Sequence, residues 1–233
     1  PTSLTLQGGY SGCASGSKER TTIDGGGATR VLEIEAGSDV TLENLNVTNG
    51  DTGDAGGGIR FAAGSLGTGD LTLTNVRIYD NTAAFGGGLW VGKDAHVRGA
   101  GVWIHTNTGV VYGGGVRLYG ARASFESSVI HANVAPRGGG VYATEQDGHS
   151  PELGLTDGAD VIFNEALTGA GLGGGVYMSE GTISASDASD LYSNEAVLGG
   201  GAYLVTSTLT IAGEDSEIQY NTSTASGGGV CAY

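Results

Sequence analysis

Proline, lysine, cysteine and methionine are all scarce in this chain of 233 residues, at three, two, two and one. Each scarcity excludes something. Three prolines rule out collagen, which needs abundant proline and glycine at every third position. Two cysteines, Cys13 and Cys231, are too few for a disulfide scaffold and have no metal-ligand spacing. Basic residues number ten against 25 acidic ones, a net charge of -15. A chain so poor in basic clusters is not expected to bind nucleic acid or an anionic membrane surface. No apolar run approaches the roughly 18 residues of a membrane-spanning helix, and no basic start followed by an apolar run marks a signal peptide. The first residue is Pro1, and the expectation is a fragment of a longer exported chain.

What is abundant is glycine, 46 residues, in a chain that is nonetheless 39% hydrophobic and therefore not a flexible linker. The glycines are ordered. A GGG triplet begins at Gly25, Gly56, Gly86, Gly113, Gly138, Gly173, Gly199 and Gly227, at spacings of 31, 30, 27, 25, 35, 26 and 28 residues. From the second triplet onward each is followed by an alternating apolar segment, as in Ile59-Arg60-Phe61, Leu89-Trp90-Val91 and Val116-Arg117-Leu118. Period two specifies strand. Five to nine residues before each of these seven triplets stands an asparagine: Asn49, Asn81, Asn107, Asn133, Asn164, Asn194 and Asn221. In six cases an aliphatic residue lies three positions before the Asn, the first case having Asn46 there. Between one glycine-led strand and the next Asn lies a further alternating segment, such as Val40-Thr41-Leu42 or Leu209-Thr210-Ile211.

Three short strands per repeat of this length, with no helical periodicity, predict an all-β fold: a single-stranded right-handed parallel β-helix of about eight coils. Residues 1–39 form the opening segment and first coil, and residues 40–233 the repeated coils of the same domain. The asparagines from Asn81 to Asn221 are expected to stack at one inward corner, where each amide bonds to the next. Asn is also expected to accommodate the bend itself. Cys13 and Cys231 then fall at opposite ends of the rod, too far apart for a bridge.

The repeats [ILV]xxN and GGG[ILVA] resemble the FxxN and GGA[ILV] repeats of bacterial polymorphic outer-membrane proteins, from Val40 to the C-terminus. Thr22 to Gly27 with Arg30-Val31-Leu32 resembles the opening segment of such proteins. The resemblance implies an exported, surface-displayed or autotransported bacterial passenger segment, often adhesive and usually not catalytic. It identifies no functional residue.

Candidate sites come from outward columns, in which matching positions of successive coils line up. One column reads Arg60, Trp90, Arg117, Tyr142, Tyr177, Tyr203 and then Cys231. Aromatic faces stack on the C–H faces of sugars and arginine pairs with carboxylates or hydroxyls, so the first six are the expected contact strip for an extended glycan or a partner protein. Cross-strand stacking on an exposed sheet would produce the same column. A second column, Tyr79, His105, His131, Ile162 and Tyr192, carries two histidines but lacks a clear third metal ligand. No cofactor is expected. Asp51 and Asp54, in a glycine-rich corner, are the residues that calcium would use, although neither calcium-loop pattern is present. The rival to a noncatalytic surface module is a polysaccharide lyase or glycosidase. Its carboxylates are not evident, since Glu43 and Glu126 are expected several coils apart and the middle strands otherwise offer Thr41, Thr72, Thr74, His96, Arg98 and Ser124.

Overall fold

The computed structural model describes residues 3–9, 19–35, 37–62 and 69–233. Over these the chain is a parallel β-solenoid of about eight coils. One coil runs through Asp39–Glu43 on a first face, Leu45–Thr48 on a second, Asp51–Ala55 on a third and Ile59–Phe61 on a fourth; Asp70–Thr74 then resumes the first. The first, second and fourth faces are each one eight-stranded parallel sheet, the three strands per coil expected from the repeat. Ser3–Gln7 pairs with Asp39–Glu43 and Thr21–Asp24 with Leu45–Thr48, so the opening segment lies in the same stack.

The third face was not foreseen. It consists of two three-stranded runs, Asp51–Ala55 to Thr108–Tyr112 and Glu165–Ala166 to Thr222–Ser226, joined through single-residue bridges at Val134, with further bridges from Arg137 to Leu172 and from Leu172 to Leu198. Pro136 lies in the gap, and proline has no N–H to continue a ladder.

Apolar residues of equal register fill the interior. One column runs Leu42, Leu73, Gly99, Phe125, Leu155, Ala185 and Ile211. Another is Val47, Ile78, Ile104, Ile130, Val161, Leu191 and Ile218. Most of these side chains are fully buried, and each fully buried aliphatic contributes about 1.5–3 kcal/mol. Gly99 is the exception in size. A Cβ there would stand 2.6 Å from Cδ1 of Phe125, so the ring occupies the space that Gly99 leaves.

The asparagine ladder forms as expected from Asn81 to Asn221, and the five from Asn81 to Asn194 are fully buried. Asn133 shows the pattern. Its Nδ2 donates to Asn164 Oδ1 (3.0 Å) and to the Ile104 carbonyl (2.9 Å), while its Oδ1 accepts from both the backbone N–H and Nδ2 of Asn107 (each 3.0 Å).

One sequence expectation needs correction, and the two positions that stood outside the repeat pattern find their places. Asn49 is exposed and stands one position before the ladder; register pairs Thr48 with Tyr79, so Gly50 holds the ladder position and donates its N–H to Asn81 Oδ1 (2.8 Å). Val47 is thus the missing aliphatic counterpart of Ile78. The first triplet is likewise displaced, because Asp24 pairs with Thr48 and Gly25 therefore follows the second face instead of leading into the fourth. Nor is the ladder Asn the bent residue. The bend falls on its predecessor, where Asp80, Thr106, Ala132, Phe163, Ser193 and Tyr220 all have φ between 51° and 55°.

The seven triplets before the fourth face have a division of labour, seen at Gly138–140. Gly138 is left-handed at φ 61°, a Cβ on Gly139 would stand 2.5 Å from the Glu165 carbonyl oxygen, and one on Gly140 would stand 2.6 Å from that of Gly175 and 2.9 Å from Asn164 Nδ2. The third glycine thereby clears room for the ladder. Cys231 is buried on the last fourth-face strand, Val230–Ala232, and Cys13 lies outside the described residues.

Candidate functional site

The column Arg60, Trp90, Arg117, Tyr142, Tyr177, Tyr203 and Cys231 is in exact register on the fourth face, and Glu33 precedes it. The structure brings all six candidate residues into one line. It does not leave them equally open. Arg117 and Tyr142 are 7% and 6% exposed, whereas Arg60, Trp90, Tyr177 and Tyr203 are half-buried. The sequence expectation of a uniformly exposed strip is corrected at its centre, because side chains from the third face lean over it.

Those covering residues precede the glycine triplets. Ala55, Phe85 and Tyr112 are register partners at the end of the third face, beyond a register shift that follows Ala83. Arg137 holds the equivalent position in the next coil, accepting the N–H of Gly113 as Tyr112 accepts that of Gly86. Aligning the repeats on their triplets would have exposed this column; the sequence reading followed only the residues after them. Tyr112 stacks on Tyr142 with ring centroids 4.6 Å apart, Tyr142 on Tyr177 at 4.5 Å and Tyr177 on Tyr203 at 5.5 Å, with Tyr233 tilted against the end of the row. Burial pushes the Tyr142 and Tyr177 hydroxyls above the usual phenol value, so these two rings carry no phenolate at neutral pH.

At the other end the strip opens into a cavity of about 350 Å³ lined by Asp54, Ala55, Arg60, Phe85, Trp90, Tyr112, Arg117 and Tyr119. Arg60 pairs with Glu33 and lies 5.4 Å over the Trp90 ring. Arg30 pairs with Glu33 (2.8 Å) and with Asp54 at the cavity rim (3.4 Å). Arg117 sits between Tyr142 and Tyr119, its guanidinium carbon 4.5 and 5.0 Å from the two ring centroids. Burial lowers its pKa to about 10, which leaves it charged at neutral pH.

The second column also forms. Tyr79 stacks on His105 at 5.1 Å and His105 on His131 at 4.9 Å, with Ile162 and Tyr192 next in register. Burial holds both imidazoles below the usual 6.5, and the neighbouring His131 adds to the effect at His105. A base that binds its proton less readily when folded contributes stability above its unfolded pKa, and that contribution is lost as pH falls below it. The C2 protons of His105 and His131 are therefore expected to titrate below 6.5 by NMR, with the thermal midpoint falling from about pH 7 to about pH 5 and falling less in His131→Gln. Midpoints at or above 6.5 for both rings would contradict this packing.

A charged group on the first face escaped the sequence reading. Register places Asp70, His96, Arg122 and Glu152 in one column and Thr72, Arg98 and Ser124 in the next, so His96 stands beside Asp70 and not among the threonines. His96 Nδ1 is 3.6 Å from Asp70 Oδ1 and its Nε2 is 3.5 Å from Ser124 Oγ, while His149 Nδ1 is 2.5 Å from Asp94 Oδ1. Asp70, Asp94, His96, Arg122, His149 and Glu152, with Gly69, Gly120, Gly148 and Ser150, line a cavity of about 500 Å³; Ser124 lies outside this lining. The order Asp, His, Ser is that of a nucleophilic triad, but both separations exceed the roughly 2.6–3.2 Å of a working hydrogen bond. Only knowledge of the coil lengths would have aligned them. Asp51 and Asp54 lie on the strand Asp51–Ala55, and among the described residues no group of three His, Cys, Asp or Glu side chains is placed to hold a metal ion. Glu43 and Glu126 share a column with Thr74 and Ala100 between them.

No family model, curated protein or solved structure matches the chain. The fold by itself defines its class, a parallel β-solenoid with an asparagine ladder.

Proposed function

We propose that this chain is a noncatalytic, exported or cell-surface β-solenoid module of a bacterium, which binds an extended glycan along its fourth face. The supporting observation is the continuous line from Arg60 through Trp90, Arg117 and the stacked tyrosines, ending in an aromatic-walled cavity at Trp90 and Tyr119. Its repeat of about 4.8 Å is close to the length of one sugar unit, so the half-buried Arg60, Trp90, Tyr177 and Tyr203 stand at whole-unit spacings along a chain. A glycan fits this line better than a folded protein does, because its open end is a cavity of about 350 Å³ walled by Phe85, Trp90, Tyr112 and Tyr119, the size of a small-ligand site. A glycan array on the purified chain tests the reading. Binding is expected, and it should fall at least about tenfold in Trp90→Ala combined with Tyr177→Ala, since truncating stacked aromatic contacts commonly costs more than 1.4 kcal/mol. Binding that survives unchanged in the folded variant would reduce the strip to internal stacking.

A second reading, cleavage of a polysaccharide, rests on the first-face cavity with His96, Arg122 and His149. It predicts degradation of the bound glycan that disappears in His96→Ala. An intact glycan after prolonged incubation with the unmodified chain favours the noncatalytic module.

A further inference from the structure

Arg117 presents an imbalance that the fold does not resolve. It is 7% exposed, yet no carboxylate among the described residues pairs with it, in a chain where acids outnumber basic residues 25 to 10. Its neighbours Arg30 and Arg60 share Glu33 and Asp54 between them. A guanidinium has five N–H donors. Arg117 uses Nη1 toward the Leu118 carbonyl (3.1 Å) and Nη2 toward Thr144 Oγ1 (2.8 Å). The remaining donors belong to a buried charge on the wall of the 350 Å³ cavity, and a buried charge without a counter-ion is costly. Stacking between Tyr119 and Tyr142 offsets part of that cost but supplies no acceptor.

Arg117 packs closely against two of the glycine triplets. Its Cβ lies where side chains on the first glycines of two triplets would collide, 3.0 Å from a Cβ placed on Gly86 and 3.3 Å from one on Gly113. Phe85, Tyr112, Trp90 and Tyr119 then form the apolar walls. The cavity therefore presents flat apolar faces around one unpaired cation.

We infer that this cavity takes a carboxylated sugar, such as a uronic acid unit of a glycan, with its carboxylate on Arg117 and its C–H faces against Trp90 and Tyr119. The inference rests on the glycan-binding reading and names the chemical class of one bound unit. A single carboxylate suits the site better than a densely sulfated or phosphorylated chain. The net charge of -15 repels polyanions, and Asp54 and Glu33 stand near the rim. The planar carboxylate also matches the guanidinium fork, which a lysine cannot reproduce.

The experiment is calorimetric titration of the unmodified chain with trigalacturonate and with its methyl ester, repeated on Arg117→Gln and Arg117→Lys after their melting curves confirm folding. The acid is expected to bind at least about tenfold more tightly than the ester, which corresponds to 1.4 kcal/mol. That preference should vanish in Arg117→Gln and shrink in Arg117→Lys. Equal binding of acid and ester by the unmodified chain, a preference retained in Arg117→Gln, or binding of neither overturns the inference. The comparison within the unmodified chain requires no variant to fold. Neutral glycans that bind on the array and are lost in the Trp90 and Tyr177 variant would leave the glycan reading standing while this inference fails; an empty array would remove both.

Discussion

Asn133→Ala is expected to lower the unfolding free energy by about 1–3 kcal/mol. The substitution removes one side chain but strands groups on both sides of it. The N–H and Nδ2 of Asn107 lose their shared acceptor, the Ile104 carbonyl loses a donor, and Asn164 Oδ1 loses one of its two donors. All three ladder residues are fully buried, so water reaches these groups only through the new cavity. Asn49→Gly is the control. Asn49 is exposed with φ 55°, a conformation that glycine adopts freely, and its amide bonds only to exposed Asp24 (3.0 Å). Its loss should change stability by no more than about 0.5 kcal/mol. Chemical denaturation of both variants checks the pair, and equal effects would mean that the ladder contributes nothing beyond a surface amide.

Phe125→Ala is expected to cost about 3–5 kcal/mol, the range for deleting a fully buried ring. The more informative result comes from combining it with Gly99→Ala. In the unmodified chain a methyl at Gly99 meets Phe125 at 2.6 Å and Val102 Cγ2 at 3.1 Å, so Gly99→Ala should cost about 1–3 kcal/mol through overpacking. Once the ring is gone, only Val102 Cγ2 still crowds the methyl, and most of its cost should disappear. A double-mutant cycle therefore predicts a coupling of at least about 1 kcal/mol. Additive effects would show that the two residues do not share one volume.

The coil was legible because its signals repeat. The triplet and the ladder Asn each recur with a physical cause, one clearing backbone space between coils and the other satisfying a buried corner. Where a coil departs from the pattern, spacing alone does not assign it: Gly50 holds the ladder position beside Asn49, and the triplet at Gly25 follows the second face. The third face was invisible because its strands shift register midway, are interrupted at Pro136 and lack strict alternation.

The candidate strip was read correctly as a column because position after the triplet fixes register. Its depth was not legible, since Tyr112, Phe85 and Arg137 reach it from another face across a register shift. The first-face group of Asp70, His96 and Ser124 was missed for a related reason: the coil length between triplets varies from 25 to 35 residues, and register there follows the loop before each strand.

That the fourth face is the ligand-binding face is tested most directly by NMR mapping of the array-selected oligosaccharide onto the labelled chain. The account predicts perturbations centred on the Trp90 indole N–H and on the strands Ile59–Phe61, Leu89–Val91, Val116–Tyr119, Val141–Thr144, Val176–Ser179 and Ala202–Val205. Perturbations centred instead on Asp70, His96 and Ser124, or their absence at saturating ligand, would contradict it.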